Sequence, residues 1–202
     1  MSQKRSFLTL RGIVFSAMFS ALLVVLSYVH IPLGFSPVPI TLQNLAIMLA
    51  GAILGAAYGF YSILTVVVLV ALGLPLLHGQ GGLPLLLGPT GGFIWMYPFS
   101  ALVIGLLVSR VRGSGPAAYV KTFLAIACGN LLVYVTGVPW LAHFANISIG
   151  KALALGCYPY LPGDAAKAVL AAIIAVPVRQ MFSSRAILTG GGMNVIRNRD
   201  QH

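Results

Sequence analysis

The sequence predicts an all-α membrane protein with six transmembrane helices and long extracellular loops, and three observations predict it. Hydrophobic residues make up 59% of the 202 and charged residues only 7%, whereas a soluble domain carries about a quarter charged residues. The apolar segments are long and continuous rather than alternating, which selects helices over the strands of a barrel. The net charge is +10, yet the basic residues flank apolar spans instead of forming a stripe with interleaved aromatics, so they orient a membrane protein and do not indicate nucleic acid. A chain of this length supplies about six spans of roughly 20 residues and leaves no room for a soluble catalytic domain.

The first span, residues 12–29, follows the short basic start Met1 to Arg11. It is too long for a signal-peptide core and lacks an A-x-A-like cleavage site, so it is read as a retained helix. Ala17 and Ala21, flanked by Ser16 and Ser20, form a small-residue face where another helix approaches closely, either within this chain or from a partner. His30 to Thr41 carries Pro32, Pro37 and Pro39 and reads as a loop without regular helix. Gln43 and Asn44 then open a new apolar run, as polar residues at a helix start or as ligand groups.

Residues 42–73 are long for one span and short for two. Two short helices, 42–56 and 58–73, broken near Gly55 to Gly59, place Lys4, Arg5, Arg11, Arg110, Arg112, Lys121, Arg179, Arg185, Arg197 and Arg199 on one side. Only Lys151 and Lys167 remain opposite, so the positive-inside rule favours both termini in the cytoplasm. Gly51, Gly55 and Gly59 permit tight helix contact at the break.

Leu74 to Gly92 contains three prolines and six glycines and reads as a long non-helical outer segment. Its Gly81-Gly82 and Gly91-Gly92 pairs let main-chain N–H groups approach a small ligand. The fourth span, 93–108, carries Trp95 and Tyr97 near its outer end. The fifth, 122–138, carries Asn130 and Tyr134 on one face, the asparagine serving a helix–helix hydrogen bond or a ligand. A short helix is expected around Ser148 to Leu155, then the last span, 165–181, and a partly disordered basic tail, 182–202.

Asp164 is the only carboxylate of the apolar body, since the other acid, Asp200, lies in the tail. Pro162-Gly163 reads as a turn with Asp164 at the helix N-cap. Lys167, three positions on, meets an unfavourable helix dipole and shares a face with Asp164. The two form an ion pair or a polar site for a small anion, and ionisable residues within a membrane lean toward function. Cys128 and Cys157 have no metal-ligand spacing, and no cofactor or metal is expected.

Pro37-Val38-Pro39-Ile40-Thr41-Leu42-Gln43-Asn44, Gly73-Leu74-Pro75, Gly88-Pro89-Thr90-Gly91-Gly92-Phe93 and Pro162-Gly163-Asp164-x-x-Lys167, in this order, resemble the BioY family, the biotin-binding S components of energy-coupling factor (ECF) transporters. The resemblance implies a multi-pass protein of a bacterial or archaeal plasma membrane. It implies six helices, capture of biotin at the extracellular side, and partnership with a transmembrane coupling subunit (T component) and two cytoplasmic ABC-type ATPases. It also implies that Ala17 and Ala21 dock onto the coupling subunit. Asp164 then accepts from the ureido N–H groups and Lys167 is the principal charged donor, with the carboxylate as its favoured acceptor. Asn130, Gln43 and Gln80 are amide partners, Thr90 and Gly91 belong to the loop, Tyr134, Trp95 and Phe93 supply apolar wall, and Gly34 to Thr41 closes as a lid. A stand-alone secondary transporter is the alternative. An enzyme is disfavoured, because metal-dependent phosphotransfer needs several clustered carboxylates.

Overall fold

The computed structural model describes residues 10–113 and 115–190, with side chains as far as Met181. Eight α-helices and one β-hairpin make up the described fold. They are α1 (Leu10–Ser27), β1 (His30–Leu33), β2 (Ser36–Thr41), α2 (Gln43–Leu49), α3 (Ala56–Ala71), α4 (Leu83–Leu86), α5 (Gly91–Ser109), α6 (Pro116–Ala145), α7 (Ile149–Gly156) and α8 (Leu161–Gly190). Four helices, Leu10–Ser27, Gly91–Ser109, Pro116–Ala145 and Leu161–Met181, are long and apolar enough to cross a membrane, and Gln43–Leu54 and Ala56–Ala71 are shorter apolar helices. Large apolar side chains such as Leu72, Leu124, Val135 and Ile173 are exposed on the outside, the arrangement expected where hydrocarbon replaces water.

The long run after Thr41 is broken where glycine permits it. Helix α2 continues through a wider π-turn, Ala50–Leu54, and the chain then reverses at Gly55, whose φ of 80° and ψ of −176° suit glycine. Helix α5 crosses this break at backbone contact. A Cβ on Gly51 would lie 2.5 Å from the Ala101 carbonyl oxygen, and one on Gly105 would lie 2.5 Å from the Gly55 carbonyl carbon. The small residues therefore set how closely α2, α3 and α5 pack.

Two cores follow. One lies toward the hairpin and joins Leu23, Ile63, Val66, Leu77, Leu86, Phe93, Ile94 and Leu141. The other is a seam in which Ala168, Ala171, Ala172 and Ala175 of α8 meet Leu45, Met48, Ile104, Val108 and Ile126. The alanines repeat at helical spacing on one face, so α8 lies close against its neighbours. Near the end of this seam Arg179 donates to the Ala52 oxygen at 2.9 Å and to the Val108 oxygen at 3.2 Å.

Several expectations are corrected. The proline-rich stretch is an antiparallel hairpin with Ile31 opposite Ile40 and Leu33 opposite Ser36. The Leu42 amide donates to the Val29 oxygen, so Ile40 and Leu42 face the partner strand. By the strand's alternation Pro37 and Pro39 fall on the free edge, where a missing N–H breaks no ladder bond. The segment from Leu74 includes the one-turn helix α4, and α5 starts at Gly91, two residues before the expected position. Helix α6 extends beyond 122–138 at both ends and stops at Asn146, which takes the left-handed conformation. Helix α8 extends beyond 165–181 in both directions, so the expected tail is helical as far as Gly190; the disorder expected for 191–202 lies outside the described residues.

Gly105→Ala should overpack the α5 crossing at a cost of about 1–3 kcal/mol. Thermal unfolding in detergent should fall by roughly 2–12 °C. Gly150→Ala, whose Cβ meets nothing within 4 Å, should leave it unchanged.

Candidate functional site

Helix α8 begins at Leu161, so Pro162 lies in its first turn, where its fixed φ is favourable and its missing N–H costs nothing. The Pro-Gly pair is thus helical and not a turn. The Asp164 amide donates to the Tyr160 oxygen at 2.8 Å, and Asp164 is not an N-cap. Its carboxylate is turned into the protein, and the residue is 5% exposed.

Four side chains from three helices converge on that carboxylate. Tyr134 and Asn130 of α6 donate to Oδ2 at 2.6 and 2.8 Å, and Lys167 of α8 donates to Oδ1 at 2.9 Å. Asn44 of α2 reaches Oδ2 at 3.2 Å and Oδ1 at 3.4 Å. An ionised carboxylate offers about four lone-pair positions, and these donors occupy them. Lys167 gives one of its three N–H donors to Asp164, and its side chain is 13% exposed. The pair is therefore neutral overall and has spare donor capacity on the lysine alone.

This cluster lines the inner of two neighbouring cavities. The inner one, about 40 Å³, is walled by Asp164, Lys167, Asn44, Thr41, Tyr134, Tyr160, Tyr97 and Phe93, with Val38, Thr90 and His78 above. The outer one, about 580 Å³, lies between the hairpin and the glycine-rich loop, among His30, Pro32, Ser36, Pro39, His78, Gln80, Pro84 and Thr90. Ligand pockets commonly span about 300–1,000 Å³, so the outer volume has the size for a ligand and the inner one has the chemistry.

The hairpin is fastened over the site. The Tyr160 hydroxyl donates to the Val38 oxygen and, at 3.1 Å, to Ser36 Oγ, which donates to the Leu155 oxygen at 2.8 Å. Opposite, the His78 amide donates to Ser27 Oγ at 3.3 Å. Burial and the nearby His30 ring hold the His78 imidazole pKa down, to about 4, so it is neutral near pH 7.

The BioY family model matches residues 1–184. The chain belongs to the BioY family. It is 42% identical over 170 residues to the Biotin transporter BioY of Rhizobium etli, covering 81% of this chain and 90% of that protein. It is 36% identical over 177 residues to the Biotin transporter BioY of Thermotoga maritima, covering 87% and 100%. A crystal structure of the S-component for biotin from an ECF-type ABC transporter superposes with a TM-score of 0.79 at 31% identity, over 89% of this chain and 95% of that one. The S-component fold is therefore shared.

Of the residues singled out in this BioY-family sequence, Asp164, Lys167, Asn130, Tyr134, Thr90 and Phe93 come together around the inner cavity. Gln43 does not: it is fully buried, lines neither cavity, and both its amide atoms lack a partner among the described residues. Its neighbour Asn44 holds the carboxylate instead. Gln80 lines only the outer cavity. The Gly91 amide is taken by the Gly88 oxygen, and its bare Cα packs under the Leu86 carbonyl, so it supports the loop and offers no donor. Trp95 points outward, and its indole N–H donates to the Leu86 oxygen at 3.2 Å. Tyr97, readable in sequence as an interface aromatic or a pocket wall, and Thr41, the end of the expected lid, line the inner cavity, as do Tyr160 and His78, which carry no expectation as ligand groups. Tyr160 had a signal, since it lies four residues before Asp164 and shares its face once the helix is extended.

On the far side of α1, Ser16 and Ser20 turn inward, with Ser20 Oγ donating to the Ser62 oxygen at 2.8 Å. Ala17 and Ala21 stay exposed, and Ala17 lines a shallow groove of about 350 Å³ with Ile13, Tyr58 and Tyr61.

Tyr160→Phe keeps the ring and removes both hydroxyl contacts to the hairpin. At about 1 kcal/mol per net hydrogen bond, amide hydrogen exchange over residues 36–41 should speed up roughly tenfold, with the α5 and α6 amides unchanged.

Proposed function

We propose that this chain is the biotin-binding S component of an ECF transporter: it captures biotin at the extracellular face and delivers it through a complex with a T component and two ABC-type ATPases. The observation that carries this reading is a buried Asp164–Lys167 pair, ringed by amide and phenol donors, in a small inner cavity that shares Pro39, His78 and Thr90 with a ligand-sized outer one. Biotin presents two N–H donors and a carbonyl at one end, a carboxylate at the other, and an apolar body between. Asp164 is the one carboxylate placed to accept the ureido N–H groups, and a ligand that takes them displaces donors such as Asn44, the longest of the set. Lys167, whose ammonium lies 2.9 Å from Asp164, holds N–H groups in reserve for the acceptor at that same end, the ureido carbonyl, and the ligand's carboxylate then points outward.

In this reading the four long helices and the two short ones joined at Gly55 give six spans. Arg11, Arg110, Arg112, Lys121 and Arg179 then mark the cytoplasmic end, together with both termini. Lys151 and Lys167 belong to the outer side, with both cavities. The exposed Ala17–Ala21 face of α1 docks onto the coupling subunit, where small side chains allow close helix approach.

Equilibrium binding of labelled biotin to the purified chain tests the site. Asp164→Asn and Lys167→Ala should each weaken affinity roughly 10- to 150-fold, the effect of losing a hydrogen bond to a charged group. Unchanged affinity in both variants would sink the assignment. Ala17→Leu should leave biotin binding intact and reduce co-purification with the T component; loss of binding with assembly preserved would count against the docking face. Uphill uptake by the chain reconstituted alone would favour a secondary transporter.

A further inference from the structure

Three residues border both the inner and the outer cavity: Pro39, His78 and Thr90. Of these His78 carries the largest polar group, and its circumstances are not those of a residue that only fills space. Its Nε2 is buried and has no hydrogen-bond partner among the described residues. Its backbone sits at φ 55°, one of two described non-glycine residues with positive φ, an uncommon conformation in which Asn, Asp and His are the enriched non-glycine residues. Glycine or asparagine would fit that backbone better, and glycine would leave no nitrogen unsatisfied. An uncommon backbone conformation and an orphaned polar atom together at the junction of two cavities point to a group held ready for something that is bound there.

The ring is also held in place. Its own amide is anchored by Ser27 Oγ, and its face is set by His30 of β1, whose ring meets it edge-on at a centroid separation of 5.2 Å. His30 in turn is tied through Nδ1 to the Tyr28 oxygen at 3.1 Å. The inner cavity, at about 40 Å³, is too small for a whole ligand of the usual size, so a molecule with one end on Asp164 and Lys167 extends past His78 into the outer cavity.

We propose that His78 is a specificity-determining residue of the site: its Nε2 hydrogen-bonds the polar end of the bound ligand that lies outward from Asp164 and Lys167. The proposal rests on the biotin reading, and selects ligands with polar groups at both ends of an apolar body. Inner and outer recognition are then separate, the first by the carboxylate cluster and the second by one imidazole.

The test uses the purified full chain and three probes: biotin, its methyl ester, which masks the carboxylate, and 2-iminobiotin, which replaces the ureido oxygen. His78→Gly suits the positive φ and deletes the imidazole; His78→Asn suits it and keeps a shorter hydrogen-bonding group. His78→Gly should weaken biotin binding about tenfold, the effect of one net hydrogen bond, and His78→Asn less. The loss should shrink to within about twofold for whichever analogue has its outward polar group altered. Biotin affinity within twofold of wild type in His78→Gly would overturn the proposal, as would an equal loss for all three probes, the signature of a packing role. Failure of the wild-type chain to bind biotin would overturn the functional reading and this proposal together, whereas tight wild-type binding with an indifferent His78→Gly would overturn this proposal alone.

Discussion

A carboxylate buried in a nearly charge-free body has to be satisfied completely, and the outer half of the molecule is arranged around that requirement. Removing one partner of a buried ion pair costs several kcal/mol because the remaining charge is stranded. Asp164 meets this with an ammonium from its own helix, a phenol and an amide from α6, and an amide from α2. These bonds tie α2, α6 and α8 together at the level of the site. The same set is ready-made chemistry for a ligand with N–H donors, since the ligand has only to exchange with groups already placed.

The two cores differ in kind. One is the seam where the α8 alanines meet leucine, methionine and isoleucine side chains, beside the α5 crossing where backbones touch at Gly51 and Gly105, and such close contacts leave little room to adjust. Around the cavities the walls are a hairpin held by a few hydrogen bonds, a one-turn helix and a loop rich in glycine. The rigid half holds Asp164 and Lys167 in register, while the less regular half shapes the cavity above them.

Much of this was legible in the sequence because hydrophobicity reports membrane residence directly. The lone acid and its lysine stood out because an apolar chain has so few charges, and Asn130 and Tyr134 because four residues make one helical turn. What was not legible depended on phase and boundary. Gln43 and Asn44 are consecutive, about 100° apart on a helix, and no local signal says which one faces the carboxylate. Pro162-Gly163 has the composition of a turn, but proline is equally welcome in a first helical turn, and that single ambiguity hid the α8 start and Tyr160 with it. The three prolines of the hairpin exclude helix correctly; they do not exclude a two-stranded ribbon, whose free edges tolerate them. Trp95 was misplaced because an outward-facing aromatic and a pocket wall look alike in sequence.

The alanine seam has a directional consequence. The inner and outer cavities adjoin at Pro39, His78 and Thr90, whereas the cavity at the arginine-rich end, about 300 Å³ among Arg112, Thr122 and Arg179, has no lining residue in common with them. In this conformation the large recess of the described chain lies at one end, and helices packed at backbone contact separate it from the arginine-rich cavity at the other.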